Sequence, residues 1–83
     1  MRSVTAMNVI DEARARRDLP APSLARAIRE AAGVSQAGVA RSLGVNRMTV
    51  CRWESGDCRP SGDHLHAYAE LLRALEAETR GQR

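Results

Sequence analysis

Two arginines lie close together near the middle of this sequence, Arg47 and Arg52, and Met48 and Thr49 lie between them. A guanidinium group can donate two hydrogen bonds to the O6 and N7 atoms of guanine, and methyl groups can pack against the methyl of thymine. We therefore predict that these four side chains reach the edges of DNA base pairs. Either arginine could alternatively contact only a phosphate, which fixes register but carries no sequence information.

The segment that must position these side chains runs from residue 36 to residue 54. Its pattern predicts two short helices around a tight turn, with Gly44 as the left-handed C-terminal residue of the first and Asn46 as the N-cap of the second. Val50 and Trp53 share one face of the second helix and should anchor it from behind. Two helices joined by so few residues cross at a steep angle, so the outer face of the second should project from the surface.

Several residues of this segment form a recognisable set, namely Gln36, Ala40, Gly44, Val50 and the run Trp53-Glu54-Ser55-Gly56. With this set, the segment resembles the helix-turn-helix of Cro/repressor-type proteins, often called the XRE family. The resemblance covers about residues 24–75. It implies an all-α fold, a small lambda-repressor-like helical bundle that binds double-stranded DNA, with the second helix of the motif in the major groove.

Candidate phosphate contacts surround the motif. Ser35 is a suitable N-cap for the helix that begins at Gln36, and the free N–H groups of a helix N-terminus attract phosphate. The resemblance implies that the Gln36 side chain also donates to phosphate and braces the second helix. It further implies that Arg59, in the following loop, contacts the DNA backbone. Asn46 should contact the DNA backbone rather than a base.

The resemblance also implies a structural ion pair. Arg29 falls among or beside the inward positions of the preceding helix, where a charged residue is unusual. In related proteins, an arginine here pairs with the glutamate at the end of the recognition helix, which is Glu54 in this chain. We expect this pair to hold the helices in register and to take no part in reading DNA.

Two further helices should precede the motif. Residues 6–18 suit a helix, which could pack on the core, pair with a second subunit, place its arginines along a phosphate backbone or remain solvated. Pro20 then marks a boundary between a partly helical segment, residues 1–20, and a DNA-binding domain, residues 21–80. The next helix, over residues 24–32 with Ser23 as its cap, should have an inward face. The apolar stripes predicted for these helices are Met7, Ile10 and Ala13 in the first, and Leu24, Ala27, Ile28 and Ala31 in the second.

A long helix should end the domain. There is no Gly or Pro between Asp63 and Arg80, so the sequence predicts one helix over about residues 62–79. Its predicted apolar stripe is Leu65, Tyr68, Ala69, Leu72 and Leu75. In the family this region commonly pairs two subunits, so the candidate residues of a homodimer interface are Leu71, Ala74 and Leu75, which could instead only cover the core.

The overall charge fits a modest DNA-binding surface. The net charge is +3 at pH 7, and all thirteen basic residues are arginine. Residues 63–83 hold three arginines against four acidic residues, so the positive excess lies over the motif and the segment before it. No apolar run has the length of a membrane span or a signal-peptide core, so we expect a cytoplasmic protein whose two cysteines are free thiols.

Other functions fit the sequence less well. The spacing of Cys51, Cys58, His64 and His66 differs from that of structural zinc sites, and no catalytic constellation or phosphate-binding glycine loop is present. We therefore expect no enzyme activity, metal, cofactor or small-molecule ligand. The favoured function is a repressor-like transcriptional regulator that binds a palindromic operator as a homodimer. The alternatives are an antitoxin or protein-interaction module and a small excision-type DNA-architectural factor.

Overall fold

The computed structural model describes the backbone of residues 4–81 and the side chains of residues 9–81. Over this range the chain forms helices joined by short connections, with no strand. This confirms the predicted all-α fold, with an extra helix before the motif and a long helix after it. The helices are α1 (Val4–Asp18), α2 (Pro22–Ala31), α3 (Gln36–Leu43), α4 (Arg47–Ser55) and α5 (Gly62–Gly81).

The core lies where α5 meets the helices before it. Trp53 of α4 and Tyr68 of α5 contact each other with ring centroids 4.8 Å apart, and these two large rings supply much of the buried apolar surface in a chain without phenylalanine. As predicted, Leu65, Tyr68, Ala69 and Leu72 face inward from α5. The aliphatic and alanine residues packed with the two rings are Ala25, Ile28, Val39, Ala40, Val50 and Leu72.

Local signals define both helices of the central motif. The Ser35 hydroxyl accepts a hydrogen bond of 2.9 Å from the Gly38 N–H, which caps α3. Gly44 ends α3 with a φ of 71°, a left-handed conformation that favours glycine. The Asn46 side chain then accepts a hydrogen bond of 2.9 Å from the Thr49 N–H and caps α4. The predicted caps and the predicted turn are thus confirmed.

The predicted inward face of α2 is wrong. Leu24, Ala27 and Ala31 are exposed, whereas Ala25 and Arg29 are buried. Since successive helical residues are about 100° apart, the observed face is rotated by roughly a quarter turn from the predicted one, and Ile28 belongs to both. The helix also begins earlier than predicted, with Pro22 in its first turn and no side-chain cap.

The additional helix α1 packs against α5. Ala15 of α1 and Ala69 of α5 are both buried, and their small side chains allow the helices to approach closely. The apolar stripe of α1 does not face the core where it can be tested, because Ile10 and Ala13 are exposed; the side chain of Met7 lies outside the described residues. Over residues 4–81, no helix has the length and apolar character needed to span a membrane.

Candidate nucleic-acid interface

Helix α4 has two chemically distinct faces. Val50 and Trp53 are 0% and 6% exposed and fix the helix to the core, as predicted from their spacing. On the outer side, Arg47, Met48 and Arg52 are exposed, and Thr49 is half-buried. The helix therefore presents a short surface of two cations and a thioether, and its apolar anchors hold that surface in a fixed orientation.

A network of polar side chains connects the core to this surface. The guanidinium of Arg29 donates to both carboxylate oxygens of Glu54, with distances of 2.6 Å from Nε to Oε2 and 3.0 Å from Nη2 to Oε1. Glu54 also accepts a hydrogen bond of 3.0 Å from Nε2 of Gln36. The Gln36 amide oxygen in turn accepts a hydrogen bond of 3.0 Å from Nη1 of Arg47. The Arg47 guanidinium is thus held by Gln36, which is itself bonded to the buried carboxylate of Glu54.

The charges of the buried pair stabilise each other. Burial acts to raise the pKa of the Glu54 carboxyl, but the hydrogen bonds from Arg29 and Gln36 and the charge of Arg29 outweigh it, so the pKa lies below its ordinary value. The hydrogen bond with Glu54 raises the pKa of Arg29, although burial opposes this. Arg29 also donates to the backbone oxygen of Val34 at 2.8 Å, which fixes the connection between α2 and α3.

The architecture around α3 and α4 matches a known kind of domain. The family model of the helix-turn-helix domain matches residues 23–81, which is more than half of the chain. The chain belongs to the helix-turn-helix domain family. This confirms the predicted resemblance to Cro/repressor-type proteins. No curated protein and no solved structure matches the chain.

In this helix-turn-helix protein, α3 and α4 are the two helices of the motif, and α4 occupies the position of the recognition helix. Ser35 and Gln36 lie at the N-terminus of α3, and Asn46 lies at the N-terminus of α4. The Gln36 amide donates to Glu54, but it has a second N–H group, so a phosphate contact is compatible with this bond. The Thr49 hydroxyl donates a hydrogen bond of 3.1 Å to the Asn46 side chain, so this hydroxyl belongs to the N-terminal cap of α4.

The loop after α4 folds back on that helix. The Cys58 N–H donates to the backbone oxygen of Arg52 at 3.3 Å, and the Ser55 hydroxyl donates to the same oxygen at 3.1 Å. Arg59 is exposed in this loop, and Asp57 is exposed two residues before it. The loop therefore presents one cation at its surface, together with an acid that weakens its positive field.

The candidate dimer residues on α5 differ in exposure. Ala74 is exposed, whereas Leu71 and Leu75 are half-buried and pack against the core. Leu24, Ala27 and Ala31, which the sequence predicts to face inward, instead form an exposed apolar surface on α2. These residues line a shallow groove with the last turns of α5. Arg29 is the sequence signal for the observed orientation, because its pairing with the buried Glu54 requires the face of α2 that carries Arg29 to point inward.

Proposed function

We propose that this helix-turn-helix protein is a sequence-specific, repressor-like transcriptional regulator that binds a palindromic operator as a homodimer. The observation that carries the proposal is that α4 has one exposed and one buried face. Arg47, Met48 and Arg52 are exposed, whereas Val50 and Trp53 are buried. The major groove of B-DNA is wide enough to admit a helix that presents such an exposed polar edge.

The exposed residues of α4 fit distinct roles in base recognition. Arg52 has an exposed guanidinium that can donate to O6 and N7 of guanine. Arg47 donates one N–H group to Gln36, which leaves further guanidinium donors for a base or a phosphate. Met48 is 49% exposed and, with the methyl group of Thr49, suits contact with a thymine methyl.

Backbone contacts should fix the protein on the duplex. The N-termini of α3 and α4 carry partial positive charge, and Ser35, Gln36 and Asn46 lie there. Arg59 adds a cation from the loop after α4. In a homodimer joined through Leu71, Ala74 and Leu75, the two α4 helices should read half-sites about 34 Å apart.

The decisive experiment selects bound duplexes from a random pool and then measures affinity for the selected duplex over a series of salt concentrations. A regulator should bind one palindrome at least about 10³-fold more tightly than random DNA. Its affinity should fall steeply as the salt concentration rises. Equal affinity for all duplexes would contradict the proposal.

Arg52→Ala tests base reading directly. If Arg52 contacts guanine, this variant should lose about 1–3 kcal/mol on the selected duplex and lose preference at one base pair. A suitable control is Arg80→Ala, because Arg80 is an exposed arginine near the far end of α5. A uniform loss on every sequence would instead identify Arg52 as a phosphate contact.

A protein-interaction module is the second candidate, and the exposed apolar face of α2 favours it. Leu24 is 54% exposed, and it lines the groove between α2 and α5 with Ala27 and Ala31. If this groove binds a protein partner, Leu24→Glu should abolish that complex and leave duplex binding unchanged. Loss of duplex binding in this variant would argue against a separate protein-binding role.

A further inference from the structure

A cavity of about 290 Å³ lies beside the loop that follows α4. It is formed where the end of α1 and the connection to α2 approach this loop. Arg16 lines it from α1, and Gly56 and Arg59 line it from the loop. Arg16 precedes the residues that match the family model, so α1 adds a charged wall from outside the family domain.

The charges that line this cavity all have the same sign. Arg16 and Arg59 are its only charged lining residues, and none of the lining residues within the described range is acidic. The first turn of α2 also borders the cavity through Ala21 and Pro22, and the N-terminus of a helix adds partial positive charge. A site with two guanidinium groups and no carboxylate in its wall favours an anion.

Arg16 can turn toward such an anion at small cost. It forms an ion pair with Glu12 one turn earlier, with 2.8 Å between Nη2 and Oε2, and its side chain is 44% exposed. Exposed pairs of this spacing contribute little to stability, so the guanidinium can exchange or share this partner. Arg59 is exposed as well.

We propose that a phosphate of the DNA backbone lies between Arg16 and Arg59, so that α1 extends the DNA interface beyond the family domain. The inference rests on the proposed DNA-binding function. The loop that carries Arg59 follows α4 directly, so it lies beside the groove that α4 enters. Phosphates that flank each half-site would therefore meet this pair of arginines, and the contact would add affinity without reading sequence.

The test compares Arg16→Ala, Arg16→Lys and Arg80→Ala on the selected duplex and on a random duplex. Arg80 is a matched control, because it also forms an exposed i,i+4 ion pair, with Glu76, but does not line the cavity. Arg16→Ala should weaken binding to both duplexes by roughly five- to ten-fold at 0.1 M salt. It should also reduce the slope of log affinity against log salt concentration by about one per protomer. Arg16→Lys keeps the charge and should keep the slope, and Arg80→Ala should match the wild type.

A second comparison examines the shared phosphate. In an Arg59→Ala background, Arg16→Ala should cost much less than it does alone, because the phosphate has already lost one of its two contacts. Fully additive losses would contradict a shared phosphate. If the wild type binds its palindrome selectively and Arg16→Ala behaves like Arg80→Ala, this inference is overturned alone. A wild type without any sequence preference would overturn the proposed function and, with it, this inference.

Discussion

At the scale of single residues, Glu54 contributes both to the stability of the domain and, through Gln36, to the position of an exposed arginine. Its carboxylate is buried, yet it accepts hydrogen bonds from Arg29 of α2 and from Gln36 of α3. Gln36 holds Arg47 in turn, so one acid both pairs a buried cation and orients an arginine that we propose to contact DNA. Loss of Glu54 should therefore affect folding first and DNA recognition second.

Glu54→Ala should lower the free energy of unfolding by about 3–5 kcal/mol, because it leaves the charge of Arg29 buried without its partner. Glu30→Ala is a matched control, since Glu30 lies 3.9 Å from Arg29 but is exposed. That variant should lose less than about 1 kcal/mol. Urea unfolding at neutral pH measures both values, and similar losses in the two variants would argue against a structural role for the buried pair.

Tyr68 should give the protein a specific sensitivity to alkali. Burial, assisted by the charge of Glu54, raises the pKa of Tyr68 from 10.0 to about 12. Because the folded pKa is the higher one, this contribution to stability is fully present below pH 10 and is lost as pH rises toward 12. The Tyr68 hydroxyl has no hydrogen-bond partner within the described part of the chain.

Tyr68→Phe should therefore be neutral or stabilising at pH 7, since it removes a buried hydroxyl without removing a hydrogen bond. Its stability should also fall less between pH 10 and 12 than that of the wild type. Thermal unfolding across this pH range tests both expectations. A large loss at neutral pH would show that the hydroxyl has a partner in solution.

At the scale of secondary-structure elements, the sequence predicts features that depend on neighbouring residues. Short-range hydrogen bonds form the caps at Ser35 and Asn46, and the conformational freedom of glycine permits the turn at Gly44. The residue types and their spacing are therefore sufficient to predict these features. The orientation of α2 could not be read this way. Its buried face includes Arg29, which is buried because it pairs with Glu54 in another helix. A prediction that looks only for apolar residues at helical spacing therefore assigns the wrong face to the core.

Gly44→Ala isolates the cost of the turn between α3 and α4. A Cβ atom at Gly44 would meet no atom within 4 Å, so the expected loss of about 1–2 kcal/mol comes from the left-handed backbone and not from a clash. Gly44→Asn should lose less, because asparagine tolerates this conformation. Gly81→Ala, which also meets no neighbour, should be neutral in thermal unfolding. Equal stability of Gly44→Ala and the wild type would show that the turn can change its conformation.

At the scale of the whole molecule, the sequence predicts which helix carries the exposed polar edge, but not which side chains of other elements lie near it. The residue types and spacing of α4 were enough to predict an exposed polar edge backed by Val50 and Trp53. That Arg16 and Arg59 line one cavity could not be predicted, because it depends on how α1 packs on α5. That packing uses the small residues Ala15 and Ala69, which periodicity does not distinguish from exposed alanines.

A charged side chain at Ala74 of α5 would test the proposed homodimer interface. Ala74 is exposed between the half-buried Leu71 and Leu75, so an arginine there should not disturb the core. If the two subunits pair through this face, Ala74→Arg would bury an uncompensated charge in the interface and shift the protein to the monomer.

Sedimentation at micromolar concentration should then show a monomer with unchanged helicity. Affinity for the full palindrome should fall much more than affinity for a single half-site, because two linked half-site contacts become independent. Ala13→Arg serves as the control, since Ala13 is exposed on a different helix, α1. If both variants sediment as dimers, the subunits pair through another surface, and the exposed groove between α2 and α5 becomes the next interface to test.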